Sequence, residues 1–254
     1  MPATDPRIAE APAQPTPAQR LRAMHDRLVA AYGPQHWWPA DTRFEVILGA
    51  YLTQNTAWKA VERSLANLRQ AGAFTLDGLR LVSLDDLREL IRPSGFNSRK
   101  APALKAFVAM LDEEFQGSLD RLAAAPTAFL RRRLMQLPGV GPETADAILL
   151  YALGHPVPVA DEYLRRIAVR HGLLTVPPVG KGYDSLADLT RLAFAGDSLH
   201  DRARLFNEFH ALTVAVGKAH CGRTARCADC PLAADLQFAS SPANSDARTT
   251  LPAE

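Results

Sequence analysis

Asp161 is the residue whose setting best suits it for chemistry. It follows the segment HPVPVA at residues 155–160, in which two prolines stiffen an extended backbone. A carboxylate held in place can stabilise a positively charged transition state, and it can align or deprotonate a water molecule. Asp161 is therefore a candidate catalytic residue, and the glycine hairpin described next is what favours catalysis over a purely structural role. Capping of a helix that starts near Glu162 is the alternative role.

A glycine hairpin lies upstream of this carboxylate. Gly139 and Gly141 flank Val140, and glycine tolerates the positive φ that a tight turn between helices demands. Pro142 suits the first position of the following helix, where a missing N–H costs nothing. The pattern predicts helix, hairpin, helix.

The two helices of this unit are read from apolar spacing. Thr127 is predicted to cap the first helix, which carries Leu130, Leu134 and Leu137 on one side. The N–H groups at the start of the second helix attract phosphate, aided by the helix dipole. The residues expected at this phosphate site are Gly139, Val140, Gly141 and Thr144.

The unit, followed one helix later by Val159-Ala160-Asp161, resembles the helix-hairpin-helix DNA glycosylases of the endonuclease III superfamily. Phe44–Ala60 resembles the family's helix pair whose junction enters the DNA stack, and Ser94–Lys100 resembles its glycine-containing turn. The resemblance spans about His36–Cys230. It implies that the protein acts in base excision repair and binds double-stranded DNA that carries a damaged base. The bond cleaved would be the N-glycosidic bond of that base. A non-catalytic helix-hairpin-helix DNA-binding protein is the alternative.

Apolar residues recur at helical spacing nearly throughout, and no alternating strand stands out, so the predicted fold class is all-α. The resemblance implies two domains with the DNA cleft between them. Residues 41–154 would form a six-helix barrel that ends in the helix-hairpin-helix. Residues 17–40 and 155–237 would form the second domain, from N- and C-terminal helices.

Both ends of the chain are predicted to be disordered. Residues 1–16 contain four prolines among alanines and polar residues, and residues 238–254 are rich in serine and alanine. Thr16 followed by Pro17 is typical of a helix start, so order is expected to begin there.

Glu143 departs from the pattern of superfamily members that also cut the DNA strand. Those members carry a lysine at this position, which forms a Schiff base with the sugar. A carboxylate cannot form an imine, so we expect a monofunctional DNA N-glycosylase that uses water and lacks AP lyase activity. Glu143 itself is interpreted as a first-turn residue favoured by the helix dipole, with a second catalytic carboxylate as the alternative.

The tryptophans indicate the substrate. Trp37 and Trp38 precede Pro39, and Trp58 follows the TQNT turn of residues 53–56, which resembles the 3-methyladenine DNA glycosylase branch. An electron-rich aromatic wall favours a cationic alkylated purine. The three tryptophans are therefore the expected base pocket, with ordinary core packing as the alternative. An endonuclease III-like glycosylase for oxidised or mismatched bases is the rival within the class.

Gln54 and Asn55 lie in the same turn. By the resemblance, one of them would enter the DNA stack and fill the gap left by the flipped nucleotide. A purely structural turn is the alternative.

The cysteines lie in the run CGRTARCADC. Many superfamily members bind a [4Fe–4S] cluster with four cysteines, but here Leu236 stands where the last belongs, so a Cys₄ site is not available. We expect catalysis to need no cofactor. A fourth non-cysteine ligand, a zinc site or a degenerate site stay open. The cysteines are Cys221, Cys227 and Cys230, and the candidate fourth ligands are His220, Asp229 and Asp235.

The charge is nearly balanced, with 29 basic and 27 acidic residues. DNA binding would therefore need a local basic face. Plausible contributors, with a solvated helix face as the alternative for the arginine run, are Arg99, Lys100, Arg131, Arg132 and Arg133. No apolar run reaches the roughly 20 residues of a membrane span, and no signal peptide is evident. We expect a monomeric cytoplasmic protein associated with the nucleoid.

Overall fold

The computed structural model describes residues 14–174 and 182–240. These residues form helices and contain no β-strand, which confirms the all-α fold class. None of the described helices is long and apolar enough to cross a membrane. The α-helices are α1 (Pro17–Tyr32), α2 (Arg43–Leu52), α3 (Trp58–Gln70), α4 (Leu76–Leu81), α5 (Leu84–Leu90), α6 (Asn97–Phe115), α7 (Leu119–Ala124), α8 (Thr127–Met135), α9 (Pro142–Ala147), α10 (Glu162–Arg170), α11 (Tyr183–Ala193) and α12 (Leu199–Ala219). Shorter segments are the 3₁₀ helices Arg92–Ser94 and Ala233–Ser240 and the π turn Ile148–Ala152.

The predicted start of α1 is confirmed. The Thr16 hydroxyl accepts the Gln19 N–H, the Gln19 side chain accepts the Thr16 N–H, and Pro17 occupies the first turn. Most of the predicted leader, residues 1–13, lies outside the described residues.

The predicted tail begins too early. The last 3₁₀ helix runs to Ser240, because Ala239 is buried and the Arg20 guanidinium lies 5.4 Å from the centre of the Phe238 ring. Apolar contact orders these residues despite their low-complexity surroundings. Residues 241–254 lie outside the described part of the chain.

The helices pack in two groups that meet at the π turn. In one group α1 packs on α11 and α12, and α10 packs on α12. In the other, α2 packs on α3, α6 and the π turn. The π turn also contacts α12, so it joins the groups. The largest fully buried side chains include Tyr51, Phe107, Phe194, Phe206 and Phe209.

A buried ion network fastens the C-terminal segment to α1. The Asp235 carboxylate accepts from Arg20 Nε at 3.1 Å and Nη2 at 2.6 Å, and it lies 2.9 Å from His171 Nδ1. Burial favours the neutral acid, but the hydrogen bonds from His171 and Arg20 outweigh it and hold the pKa of Asp235 below its ordinary value. These contacts occupy Asp235, so its candidacy as a metal ligand is wrong.

Asp235→Ala should lower the free energy of unfolding by about 3–5 kcal/mol at pH 7, because it leaves Arg20 buried without its anion. Asp188→Ala is the matched control. Asp188 is 67% exposed beside Arg191, and such a surface pair contributes about 0–1 kcal/mol. Urea unfolding measures both. Since the pKa of Asp235 is lowered by folding, the difference from wild type should shrink as the pH falls through that pKa. Equal losses in the two variants would contradict the network's role.

Candidate active site

A cavity of about 340 Å³ collects residues from four separate parts of the sequence. It lies where the turn after α2, the glycine hairpin, the start of α10 and the start of α11 meet. Its lining includes Gln54, Asn55, Gly139, Gly141, Glu143 and Asp161. The structure therefore brings the predicted catalytic, hairpin and DNA-intercalating residues to one place.

The hairpin uses its two glycines differently. Gly139 has φ +73°, which favours glycine, whereas Gly141 has extended backbone with φ −90° and caps α9. The expectation of positive φ at both positions is wrong for Gly141, since only one left-handed residue is needed to reverse the chain. The Val140 N–H donates to Leu137 O at 3.2 Å, so this N–H is satisfied within the hairpin. Pro142 takes the first helical position as predicted.

Thr127 does not cap α8, which corrects the prediction. It is the first residue of the helix, and its hydroxyl lies 2.8 Å from His155 Nδ1. That contact ties α8 to the segment that leads to the candidate catalytic carboxylate. Leu130 and Leu134 are buried along α8 as expected, while Leu137 is buried in the turn beyond its end.

Asp161 is 7% exposed at the start of α10. Its Oδ1 accepts the Leu164 N–H at 2.9 Å, so the capping role is real. Its Oδ2 lies 3.6 Å from His210 Nε2. Capping consumes one oxygen and fixes the plane of the carboxylate, and the residue still lines the cavity. The cap is compatible with a catalytic role.

Glu143 lines the cavity beside Asp161, in the first turn of α9. The Glu143 residue as a whole is exposed, yet many protein atoms surround its carboxyl, and this partial desolvation raises the pKa of Glu143 to about 7. The charge of Asp161 raises it further and His210 opposes the shift. Glu143 is therefore more than a surface residue favoured by the helix dipole.

Gln54 is tethered to the hairpin. Its Nε2 donates to the Thr144 hydroxyl at 3.1 Å, and Thr144 is 9% exposed. In the DNA-free protein the Thr144 hydroxyl, which was predicted to bind phosphate, therefore accepts a hydrogen bond from Gln54. Asn55 is exposed at φ +49°, at the tip of the turn.

Lys100 is not part of a basic surface, contrary to the prediction. It is 4% exposed, and its Nζ donates to Leu52 O at 2.8 Å, the Thr56 hydroxyl at 2.7 Å and Ser94 O at 2.8 Å. Burial lowers the pKa of Lys100 to about 8. This ammonium group fixes the Gln54 turn on the Ser94 turn.

Two arginines of the predicted basic run are neutralised by carboxylates. Arg131 pairs with Asp146 at 2.8 Å and Asp184 at 3.1 Å, and Arg133 pairs with Glu114 at 2.5 Å. The exposed basic residues of the predicted set are Arg99 and Arg132.

The tryptophans form one cluster. The ring centres lie 5.5 Å apart for Trp37 and Trp38, 5.8 Å for Trp37 and Trp58, and 5.6 Å for Trp38 and Trp58. Gly49 permits this packing, because a Cβ there would lie 2.9 Å from Trp38 Cζ2. No tryptophan is among the described residues that line the Asp161 cavity, and Trp37 lines a separate cavity of about 460 Å³.

Tyr151 connects the tryptophan cluster to Asp161, a link that the sequence patterns missed. Its ring centre lies 5.3 Å from that of Trp38, and its hydroxyl lies 2.5 Å from His210 Nδ1. A tyrosine within an otherwise apolar helical run was the only local signal for this site. His210 is far from the hairpin in sequence, and no motif marks it.

The cysteines do not fit an iron–sulfur or zinc site. Cys221 is buried, and its Sγ accepts from Arg170 Nη1 at 3.0 Å. Nowhere in residues 14–174 and 182–240 do three or more His, Cys, Asp or Glu side chains form a group able to hold a metal ion. The metal hypothesis for Cys221, Cys227 and Cys230 therefore does not agree with the described geometry.

Comparisons with known proteins agree with this fold. The family model of the HhH-GPD superfamily base excision DNA repair proteins matches residues 48–181. A Methanocaldococcus jannaschii protein, named as a candidate DNA repair glycosylase, is 39% identical over 207 residues, which span 81% of this chain and 90% of that protein. The H. pylori 3-methyladenine DNA glycosylase bound to 1,N6-ethenoadenine has a TM-score of 0.67 at 28% identity, covering 81% of this chain and 98% of that one. A non-covalent endonuclease III–DNA complex has a TM-score of 0.68 at 22% identity, covering 87% and 95%, and supports the fold alone.

Glu143→Gln should raise the Tm at pH 8 slightly and leave it nearly unchanged at pH 5, the gain being small because solvent screens an exposed side chain. With a pKa of about 7 in the folded protein and an ordinary value of 4.5, Glu143 binds a proton more tightly when folded. Stability therefore falls as the pH rises between these values, and the neutral amide escapes that loss. Thermal unfolding at the two pH values measures the effect. Glu62→Gln, on an exposed position of α3, is the control, and a lower Tm for Glu143→Gln at pH 8 would contradict the assignment.

Proposed function

The chain belongs to the HhH-GPD superfamily of base excision DNA repair proteins, and we propose that it is a monofunctional DNA glycosylase for alkylated purines of the 3-methyladenine type. The observation that carries this proposal is the buried carboxylate of Asp161, which caps α10 and lines the cavity beside the hairpin. Membership of this family shows that the chain is a base excision DNA repair protein. The lesion class and the absence of strand cutting are our proposals.

In the proposed reaction the damaged nucleotide leaves the stack and enters the cavity. Asp161 stabilises the oxocarbenium character that develops on the sugar, and it aligns the water that attacks the anomeric carbon. Gln54 or Asn55 fills the gap in the duplex. The hairpin N–H groups at Gly139 and Gly141 and the start of α9 bind the DNA phosphate. The partner is double-stranded DNA with a damaged base, and the protein acts as a monomer.

The tryptophan cluster supports the alkylpurine assignment. Alkylation gives the purine a positive charge, and aromatic faces attract a cation by about 0.5–2 kcal/mol. A charged purine also leaves without a strong acid. The similar H. pylori protein is a 3-methyladenine DNA glycosylase. We propose that Trp37, Trp38 and Trp58 form the wall of the base pocket, reached from the cavity past Tyr151.

Glu143 favours one alternative. A carboxyl with a pKa of about 7 is partly protonated at neutral pH, so it can protonate a neutral leaving base. An endonuclease III-like glycosylase for oxidised or mismatched bases is therefore the second candidate. The deciding assay incubates the protein with methylated DNA and with duplexes carrying oxidised or mismatched bases, and identifies the released bases by chromatography. A DNA-binding protein without catalysis would release none.

Asp161→Asn should slow base excision by about 10²–10³-fold or more, since the amide cannot stabilise positive charge. Asparagine also caps helices well, so α10 should survive the change. Binding to a duplex with an abasic analogue should persist, because backbone contacts carry most of the affinity. Single-turnover excision and a binding titration test both parts. Near-normal base release would overturn the mechanism.

Borohydride should trap no covalent adduct between the protein and abasic DNA. The described residues of the cavity lining include no lysine, and Glu143 stands where the lyase amine would be. Glu143→Lys is the matched variant, and it should gain a trapped adduct on a denaturing gel. A strong adduct with the wild-type protein would show that another amine acts, and the monofunctional assignment would fail.

Replacing a tryptophan of the cluster by alanine should separate excision from DNA binding. Loss of stacking costs about 1–3 kcal/mol, so excision of 3-methyladenine should fall roughly tenfold or more for at least one of Trp37, Trp38 and Trp58. Binding to an abasic analogue should barely change, because no base occupies the pocket. Should every variant lose Tm and abasic-DNA binding in parallel with activity, the cluster is core packing and the alkylpurine assignment loses its physical support.

A further inference from the structure

His210 on α12 lies between the proposed catalytic carboxylate and a buried phenol. Its Nδ1 is 2.5 Å from the Tyr151 hydroxyl, and its Nε2 is 3.6 Å from Asp161 Oδ2. The His210 side chain is 11% exposed and that of Asp161 is 9% exposed. The two ring nitrogens therefore face two different partners in a site largely closed to solvent.

The phenol and the carboxylate together favour one position for the imidazole proton. Burial, with the charges of Asp161 and Glu208, raises the pKa of Tyr151 above its ordinary value, so the hydroxyl keeps its proton. It can donate that proton to His210 Nδ1 at 2.5 Å or to Asn207 O at 3.4 Å, and the shorter contact favours Nδ1. A neutral imidazole has a single N–H, which then lies on Nε2 and faces Asp161. The other tautomer would set the Nε2 lone pair against the carboxylate, which is unfavourable.

Building on the proposed glycosylase function, we propose that His210 is a positioning residue, held as the Nε2–H tautomer by Tyr151, that orients and stabilises the anionic carboxylate of Asp161. The Leu164 N–H already holds Oδ1, so His210 supplies the counterpart for Oδ2. At 3.6 Å this is an electrostatic contact rather than a hydrogen bond. Such catalytic contacts shorten when the substrate closes the site.

The position of Tyr151 explains how the fold builds this arrangement. Tyr151 lies in the π turn that follows α9, and this turn contacts both α2 and α12. Single π turns recur at functional sites, where they interrupt the regular helix. The Trp38 ring packs edge-on against Tyr151. The proposed base pocket and Asp161 are thus joined through two side chains.

The first test reads the tautomer directly and needs no substrate. Nitrogen-15 NMR of the histidine rings is recorded at pH 8 in the wild-type protein and in Tyr151→Phe, with His210→Gln identifying the signal. All spectra are taken at one pH, because Glu143 and Glu208 also place negative charge near the pair. We expect Nε2–H in the wild type and a mixture of tautomers in Tyr151→Phe. An Nδ1–H wild type, or a tautomer indifferent to Tyr151→Phe, overturns the proposal.

The second test is a double-mutant cycle on single-turnover excision. His210→Ala should slow excision roughly 10- to 100-fold, the usual cost of losing a group that orients a catalytic one, with abasic-DNA binding unchanged. His210→Gln places an amide N–H at the Nε2 position and has no tautomers, so it should stay within about threefold of wild type, and Tyr151→Phe should slow the wild type about tenfold. In the His210→Gln background, Tyr151→Phe should cost nothing more.

An equal cost of Tyr151→Phe in both backgrounds would show that Tyr151 acts by packing or on the base itself, and the proposal would fall. So would a His210→Gln variant as slow as His210→Ala. If the wild type released no base at all, the glycosylase proposal would fail. The NMR experiment would then still decide whether Tyr151 sets the tautomer of His210.

Discussion

The hydrogen bond from the Leu164 N–H to Asp161 Oδ1 holds the carboxylate around which the site is arranged. A side-chain cap of this kind contributes only about 1 kcal/mol to stability. Its main consequence for the site is that it fixes the orientation of the carboxylate. The segment of residues 157–160 is buried on the way to Asp161, so both the chain and the side chain are fixed. One carboxylate therefore starts α10 and presents its second oxygen to the site. Rigid placement of this sort is what electrostatic stabilisation of a transition state requires.

Two acidic residues of the cavity lining, Asp161 and Glu143, have different surroundings. Asp161 has a backbone donor and the imidazole of His210 beside it, both of which suit an anion. Glu143 is crowded by protein atoms and faces the charge of Asp161, so its pKa rises to about 7. A pKa of about 7 leaves Glu143 partly protonated at neutral pH. The cavity therefore contains a carboxyl group that can act as an acid, beside the carboxylate that the Leu164 N–H holds.

Long-range contacts of the Arg20 side chain hold the C-terminal segment against α1 and the end of α10. Arg20 reaches from α1 to Asp235, and its Nη2 also donates to His171 O at 2.7 Å. The bond to Asp235 spans 215 positions and joins α1 to the last 3₁₀ helix. The bond to His171 spans 151 positions and joins α1 to the end of α10. A buried pair of this kind is costly to break, because each charge depends on the other.

The fold class, the start of α1 and the family could be predicted from the sequence, because each depends on residues close together in the chain. Helical spacing of apolar residues gave the all-α class, the Thr16 cap and Pro17 gave the start of α1, and the hairpin followed by an aspartate gave the family. Each of these signals is carried by residues a few positions apart, whose backbone preferences do not depend on the rest of the chain. The tertiary structure alone decided which polar groups find partners. Lys100 is buried because its ammonium group donates to three acceptors inside the protein. The Thr127 hydroxyl contacts His155 and does not cap α8. Tyr151 met His210 across 59 positions, since the pairing of distant side chains is set by how helices pack and not by any local pattern.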